Sequence, residues 1–234
     1  MNPLVVSAAS YVDLQALGND RTGLKPWPAA VDWALGGAWD SLHWSGLFQS
    51  DCARFSRADP LCKLALIAVE LLDLRLANLT DVQRADVAVC LGTSFGPLSA
   101  DCGFLRTGSP SVFTYTLPST AIGEICIRYK LKGPVRCLVS AGPGENAVVE
   151  EAADLLGRGD AAACLCLYCD AIDSSVPAGL SPSPGCNHGL AAAVFIEQPL
   201  SDQPGRGLEL PAGGGWIDAC RRFCVDGQDG NTRV

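Results

Sequence analysis

A chain of 234 residues, 48% hydrophobic and 18% charged, carries enough apolar material for one sizeable core. Its formal net charge of −8 excludes a nucleic-acid binder, because phosphate recognition needs a basic face, and argues equally against an anionic membrane surface. The amino terminus has no basic stretch or cleavage site and no apolar run reaches spanning length, so the chain is expected to be cytoplasmic.

In chain order, residues 1–50 read as irregular and rich in Trp and Gly (Trp27, Trp33, Trp39, Trp44), with a short helix near 29–35. The stretch 60–77 predicts a helix, with Leu61, Leu64, Ala68, Leu71 and Leu72 on one face and Asp59-Pro60 as its start signal. The apolar run 85–91 before a glycine predicts a buried strand. A glycine-bearing loop and a polar stretch to Ser111 follow, then a helix over 119–130. A strand is expected at 135–139, and a Gly-Pro-Gly turn leads into a helix over 146–156 that Gly157 and Gly159 end. Glu145 and Asn146 suit that helix's start through dipole and capping.

Two more buried strands are expected at 161–167 and 190–197, joined by a Pro/Ser/Gly loop. Strands alternating with helices predict an α/β sheet with helices packed on it. Residues 1–199 are expected to form the domain. Residues 200–234 read as a Gly/Pro-rich tail with a short helix in which Trp216, Cys220 and Phe223 share a face.

The chemistry-bearing residues are sparse. Twelve cysteines is a high count, but Cys164, Cys166 and Cys169 lie in an apolar strand, with the first two on one face and the third on the other. They do not converge as zinc ligands must, so no metal and no cofactor is expected. Cys186-Asn187-His188 is too short a cluster to hold one. Gly92-Thr-Ser94-Phe-Gly96 matches the G-x-S-x-G pattern of serine esterases, with His188 as a conceivable base, but Pro97 at once after it suits a loop better.

Four stretches, in order, resemble the N-terminal half of β-ketoacyl synthases of the thiolase fold. They are Arg54-Phe-Ser-Arg57 leading into Leu61-Cys-Lys-Leu-Ala-Leu; Leu91-Gly-Thr-Ser-Phe-Gly96; Phe113-Thr-Tyr-Thr-Leu-Pro-Ser-Thr-Ala-Ile-Gly-Glu124 with Tyr129-Lys-Leu-Lys-Gly-Pro134; and Gly157-Arg-Gly-Asp160 before an alanine-rich strand. The resemblance covers about residues 54–197 and implies a truncated thiolase-like fold, a mixed sheet with helices packed on it.

In active members of that family the strand after Gly-Pro ends in Thr-Ala-Cys, whose thiolate is the nucleophile at a helix start. Here the corresponding stretch is Ser140-Ala-Gly-Pro-Gly-Glu-Asn146, and Gly142 takes the cysteine's place. Cys137, five residues earlier, falls inside the strand. The family's two catalytic histidines lie in its C-terminal half; this chain has only His43 and His188 and is about half a complete member's length.

The resemblance therefore implies a non-catalytic partner of a β-ketoacyl synthase, of the chain-length-factor type found in bacterial aryl polyene and fatty-acid-like pathways. Such a chain shapes the acyl tunnel of its heterodimeric partner and can help dock acyl carrier protein. Phe113, Tyr115 and Leu117 would form the tunnel wall, and Val135, Cys137 and Val139 the dimer interface. Two alternatives stay open: the Ser94 esterase, and a pseudo-ketosynthase scaffold that only stabilises its partner.

Overall fold

The computed structural model describes residues 5–27, 33, 38–47, 51–72, 74–140, 145–181, 187–197 and 215–226. Seven strands form one sheet: β1 Val5–Asp13, β2 Ala16–Asn19, β3 Gly23–Pro26, β4 Val87–Thr93, β5 Val135–Val139, β6 Ala163–Ile172 and β7 His188–Glu197. Their order is β3-β2-β1-β7-β6-β4-β5. β4 runs parallel to β5 and β6, whereas β6–β7, β7–β1, β1–β2 and β2–β3 are antiparallel, so the sheet is mixed.

The expected strand at 135–139 is β5, and the other three expected strands are β4, β6 and β7 with shifted ends. The amino-terminal stretch differs from the reading: it supplies three strands rather than irregular chain. Small Ala and Ser side chains dilute the alternation of β1 in sequence. Pairing with β7 over eight residue pairs, with a bulge between Val6 and Ala8, overrides that weak local signal. The short helix anticipated at 29–35 lies outside the described residues apart from Trp33.

The helices are α1 Ala38–Ser41, α2 Pro60–Glu70, α3 Leu74–Ala77, α4 Asp81–Ala85, α5 Leu98–Thr107, α6 Pro110–Phe113, α7 Ser119–Tyr129, α8 Glu145–Arg158 and α9 Trp216–Asp226. Asp59 caps α2, its Oδ1 accepting from the Cys62 N–H at 3.0 Å, with Pro60 in the first turn. The helix expected over 60–77 ends at Glu70, and α3 follows separately. Nearly all of α2 is buried rather than one face, because it lies between the sheet and a cover of Trp39, Trp44, Phe55 and α7. Lys63 is buried within it and donates its ammonium to the Trp39 carbonyl at 2.6 Å. The polar stretch before Ser111 is helical too, forming α5 and the start of α6.

Strand alternation splits the core in two. Val87, Val89, Leu91, Leu165, Leu167 and Phe195 face α2 and α7. Ala88, Cys90, Cys164, Cys166, Val194 and Ile196 face α8 and α9. Trp216 and Cys220 of α9 are buried in this second layer, and α9 packs on β1, β3 and β7. The indole N–H of Trp216 donates to the Glu145 carbonyl at 2.7 Å, tying α9 to the start of α8.

Gly133 explains the entry to β5. A Cβ there would collide with the backbone carbonyl of Val87, so only glycine lets the chain cross β4 so closely before Pro134.

Candidate interface and site

β5 ends the sheet, and among the described residues no strand pairs with its outer edge. The Val89 N–H donates to the Pro134 carbonyl at 2.9 Å, and the Ser140 N–H to the Thr93 carbonyl at 3.1 Å. With Val89 opposite Val135, Leu91 opposite Cys137 and Thr93 opposite Val139, residues 134, 136, 138 and 140 point their backbone groups at β4. The N–H and C=O groups of Val135, Cys137 and Val139 therefore point outward. These are the three residues assigned to a dimer interface from sequence.

Exposed apolar side chains accompany that edge. Val135 and Val139 are 49% and 59% exposed, and Leu117 and Ile127, before and within the adjoining α7, are 63% and 61% exposed. Ile127 was not singled out from sequence, although it falls off the helix face made by Ala121, Ile122 and Ile125, which is the signal that could have found it. Arg136, a charge in the middle of an apolar strand, was likewise passed over; such charges mark sheet edges.

The segment proposed as a tunnel wall is a run of turns between α6 and α7, and its three large side chains diverge. Phe113 is exposed and rests against Phe104, with ring centroids 5.1 Å apart. Leu117 is exposed. Tyr115 packs partly against the main core and lines a cleft of about 1170 Å³ with Val112, Trp39, Ala58, Pro60 and Arg57. Asp59 lies at the floor of that cleft. Burial raises its carboxyl above the usual range, and one of its oxygens has no partner.

Gly142 falls in residues 141–144, which lie outside the described residues. It belongs to the connection between the end of β5 at Val139 and the start of α8 at Glu145. The loop after β4 is held by one buried carboxylate. Asp170 Oδ1 accepts from the Thr93 hydroxyl at 2.7 Å, the Ser94 N–H at 2.8 Å and the Phe95 N–H at 3.1 Å. Its Oδ2 accepts from the Tyr168 hydroxyl at 2.9 Å, and Tyr168 lies 2.6 Å from the Ser94 hydroxyl. Burial pushes the Tyr168 phenol up to about 12, so it cannot serve as a base near neutrality.

This is not a nucleophile elbow. The only described residue other than glycine with a positive φ is Lys130, so Ser94 has an ordinary backbone where an elbow demands strain. No hydrogen bond joins Ser94 to His188. The His188 ring packs edge-on to Phe95 at 6.1 Å, and burial lowers its pKa, with Asp170 opposing.

The thiols behave as apolar filler. Cys164 and Cys166 face α8 and Cys169 the other layer, and among the described residues no group of His, Cys, Asp or Glu is arranged to hold a metal ion. Burial pushes the thiols of Cys137, Cys62 and Cys169 up, away from thiolate character. No described helix is long and apolar enough to cross a membrane.

Residues 35–178 match the model of the β-ketoacyl synthase N-terminal domain. The chain belongs to the β-ketoacyl synthase family. Solved structures carry the same fold. The ishigamide ketosynthase/chain length factor matches with a TM-score of 0.63 at 19% identity, over 88% of this chain and 64% of that one. The ketosynthase ApeO in complex with its chain length factor ApeC, from Xenorhabdus doucetiae, matches at 0.56 and 14%, over 96% of this chain and 92% of that one. AntDE:AntF, a type II polyketide synthase acyl carrier protein in complex with its ketosynthase bound to the hexaketide, matches at 0.54 and 16%, over 85% and 63%. The chain thus spans just under two-thirds of the ishigamide and AntDE:AntF chains. No curated protein matches in sequence.

The thiolase-like fold read from the ordered motifs is therefore the fold of this chain; Gly133-Pro134 leads into the edge strand, and the Gly96 N–H donates to the Thr93 hydroxyl at the end of β4.

Proposed function

We propose that this chain is a non-catalytic, chain-length-factor-like partner of a β-ketoacyl synthase in fatty-acid-like or aryl polyene biosynthesis. The observation that carries the reading is the open edge of β5. Val135, Cys137 and Val139 there point their backbone groups outward, away from β4, and Val135, Val139, Leu117 and Ile127 are exposed. Exposed, unpaired strand edges are normally covered in folded proteins, and a partner's strand covers this one. Family membership and the likeness to ketosynthase/chain length factor structures support the same partner.

Gly142, standing where active members carry cysteine, has no side chain to bear a thioester, and this supports an accessory rather than catalytic role. The chain is placed in the cytoplasm on this reading, with acyl carrier protein reaching the assembled pair. Tyr115 is the strongest candidate for a length-limiting wall, since it lines the cleft, while Phe113 and Leu117 reach outward to meet the partner.

Co-expression with the ketosynthase of the same pathway tests this. A stable one-to-one complex is expected, whose longest product lengthens when Tyr115→Ala or Phe113→Ala opens the wall. A complex that forms but makes the same products with every such variant would leave only a stabilising scaffold.

A further inference from the structure

One side chain alters what the open edge can accept. Arg136 is the second residue of β5, and its Nη1 donates to the Val135 carbonyl at 3.0 Å. That carbonyl is one of the outward-pointing groups. The same guanidinium is held through Nε by Glu151 of α8 at 2.8 Å, an ion pair with side chains 42% and 28% exposed. Cys137 and Val139 have no such cap.

We propose that Arg136, braced by Glu151, is an edge guard that selects a foreign strand over a second copy of this chain. The proposal rests on the reading of β5 as the partner-facing edge and adds to it a device for partner choice. Two copies pairing antiparallel about a two-fold centred on Cys137 would set Val135 of each against Val139 of the other. Both ends of that ladder would then need a carbonyl that is already occupied. A different partner meets one capped carbonyl, and can take Cys137 and Val139 while leaving Arg136 in place. Charged side chains on edge strands are a general means of discouraging unwanted pairing.

The test uses the isolated chain in sedimentation velocity, with no ketosynthase present. Arg136→Ala should tighten self-association about tenfold, equivalent to about 1.4 kcal/mol. Glu151→Gln, which leaves the arginine but frees it, should tighten it about twofold. Adding Val139→Pro to Arg136→Ala should return it to the level of the unaltered chain. That proline removes an outward N–H needed by an incoming strand and none that bonds to β4.

Unchanged self-association in Arg136→Ala, with an unchanged circular dichroism spectrum, would overturn the proposal. So would a gain that survives Val139→Pro, because the contact would then lie elsewhere. Arg136 lies at the surface on the edge strand, so its loss leaves the fold intact, and Glu151→Gln gives a second reading that does not remove it. Failure here would leave the ketosynthase complex standing, and failure of that complex would leave this measurement unaffected.

Discussion

Trp216→Ala probes whether the C-terminal helix is part of the domain's working core. The Trp216 indole is 1% exposed, lies in the layer between the sheet and α8, and donates to the Glu145 carbonyl. Emptying a site of that size costs about 3–5 kcal/mol. The Glu145 carbonyl left without its donor adds about 1 kcal/mol. A total of about 4–6 kcal/mol is a large part of a typical domain stability of about 5–15 kcal/mol. For a domain of this size it corresponds to a fall of roughly 10–15 °C in Tm.

Trp216→Phe keeps most of the volume and loses the hydrogen bond, so its loss should be closer to about 3 °C. Differential scanning fluorimetry measures both. Hydrogen exchange adds the local readout: amides at the start of α8 should lose protection in the alanine variant. A Tm within about 2 °C of the unaltered chain for Trp216→Ala would refute the reasoning, and would mean that α9 contributes little to holding the start of α8.

Asp170→Ala strips the shared acceptor from two hydroxyls and two backbone N–H groups, and should destabilise the fold by about 3–5 kcal/mol, with exchange rising first at residues 94–96. Ser94→Ala removes one partner of Tyr168 and should cost only about 1 kcal/mol, without removing any ester-hydrolysis activity, because none is expected. Burial lowers the pKa of His188 in the fold, so the unfolded chain binds more protons as pH falls from its unperturbed value near 6.5 towards the lowered one. Stability contributed by the neutral ring is thus present above that window and lost within it. The drop in Tm between pH 7.5 and pH 5.5 should be smaller in His188→Asn than in the unaltered chain, and an equal drop would contradict this.

The half of the fold that carries strong periodicity was readable in advance. Val135–Val139, Ser119–Tyr129 and the body of α8 follow from apolar runs bounded by glycine and proline. The amino-terminal strands did not, since Val5–Asp13 is rich in Ala and Ser and gains its identity only from β7, far away in sequence. Buried on nearly every side, α2 also hid its surroundings: a run such as Leu61–Glu70 predicts a helix but not that Trp39, Phe55 and α7 would cover its second face.

The interface residues were legible as an apolar strand, yet which of their backbone groups point outward depends on the register with β4. The wall segment was legible only as a cluster of bulky residues, whereas the structure sends Phe113, Tyr115 and Leu117 in different directions. Asp170 gave no signal at all, because three of its four donors come from Thr93, Ser94 and Phe95, 75–77 residues away.

Affinity purification of the tagged chain co-expressed with its pathway ketosynthase, alongside the Val139→Pro variant, bears most directly on the central claim. The ketosynthase should be retained stoichiometrically by the unaltered chain and lost from the proline variant, while that variant stays folded and keeps its own Tm within a few degrees. Retention undiminished by Val139→Pro would contradict pairing through this edge, and no retention at all by the unaltered chain would contradict the accessory-subunit account itself.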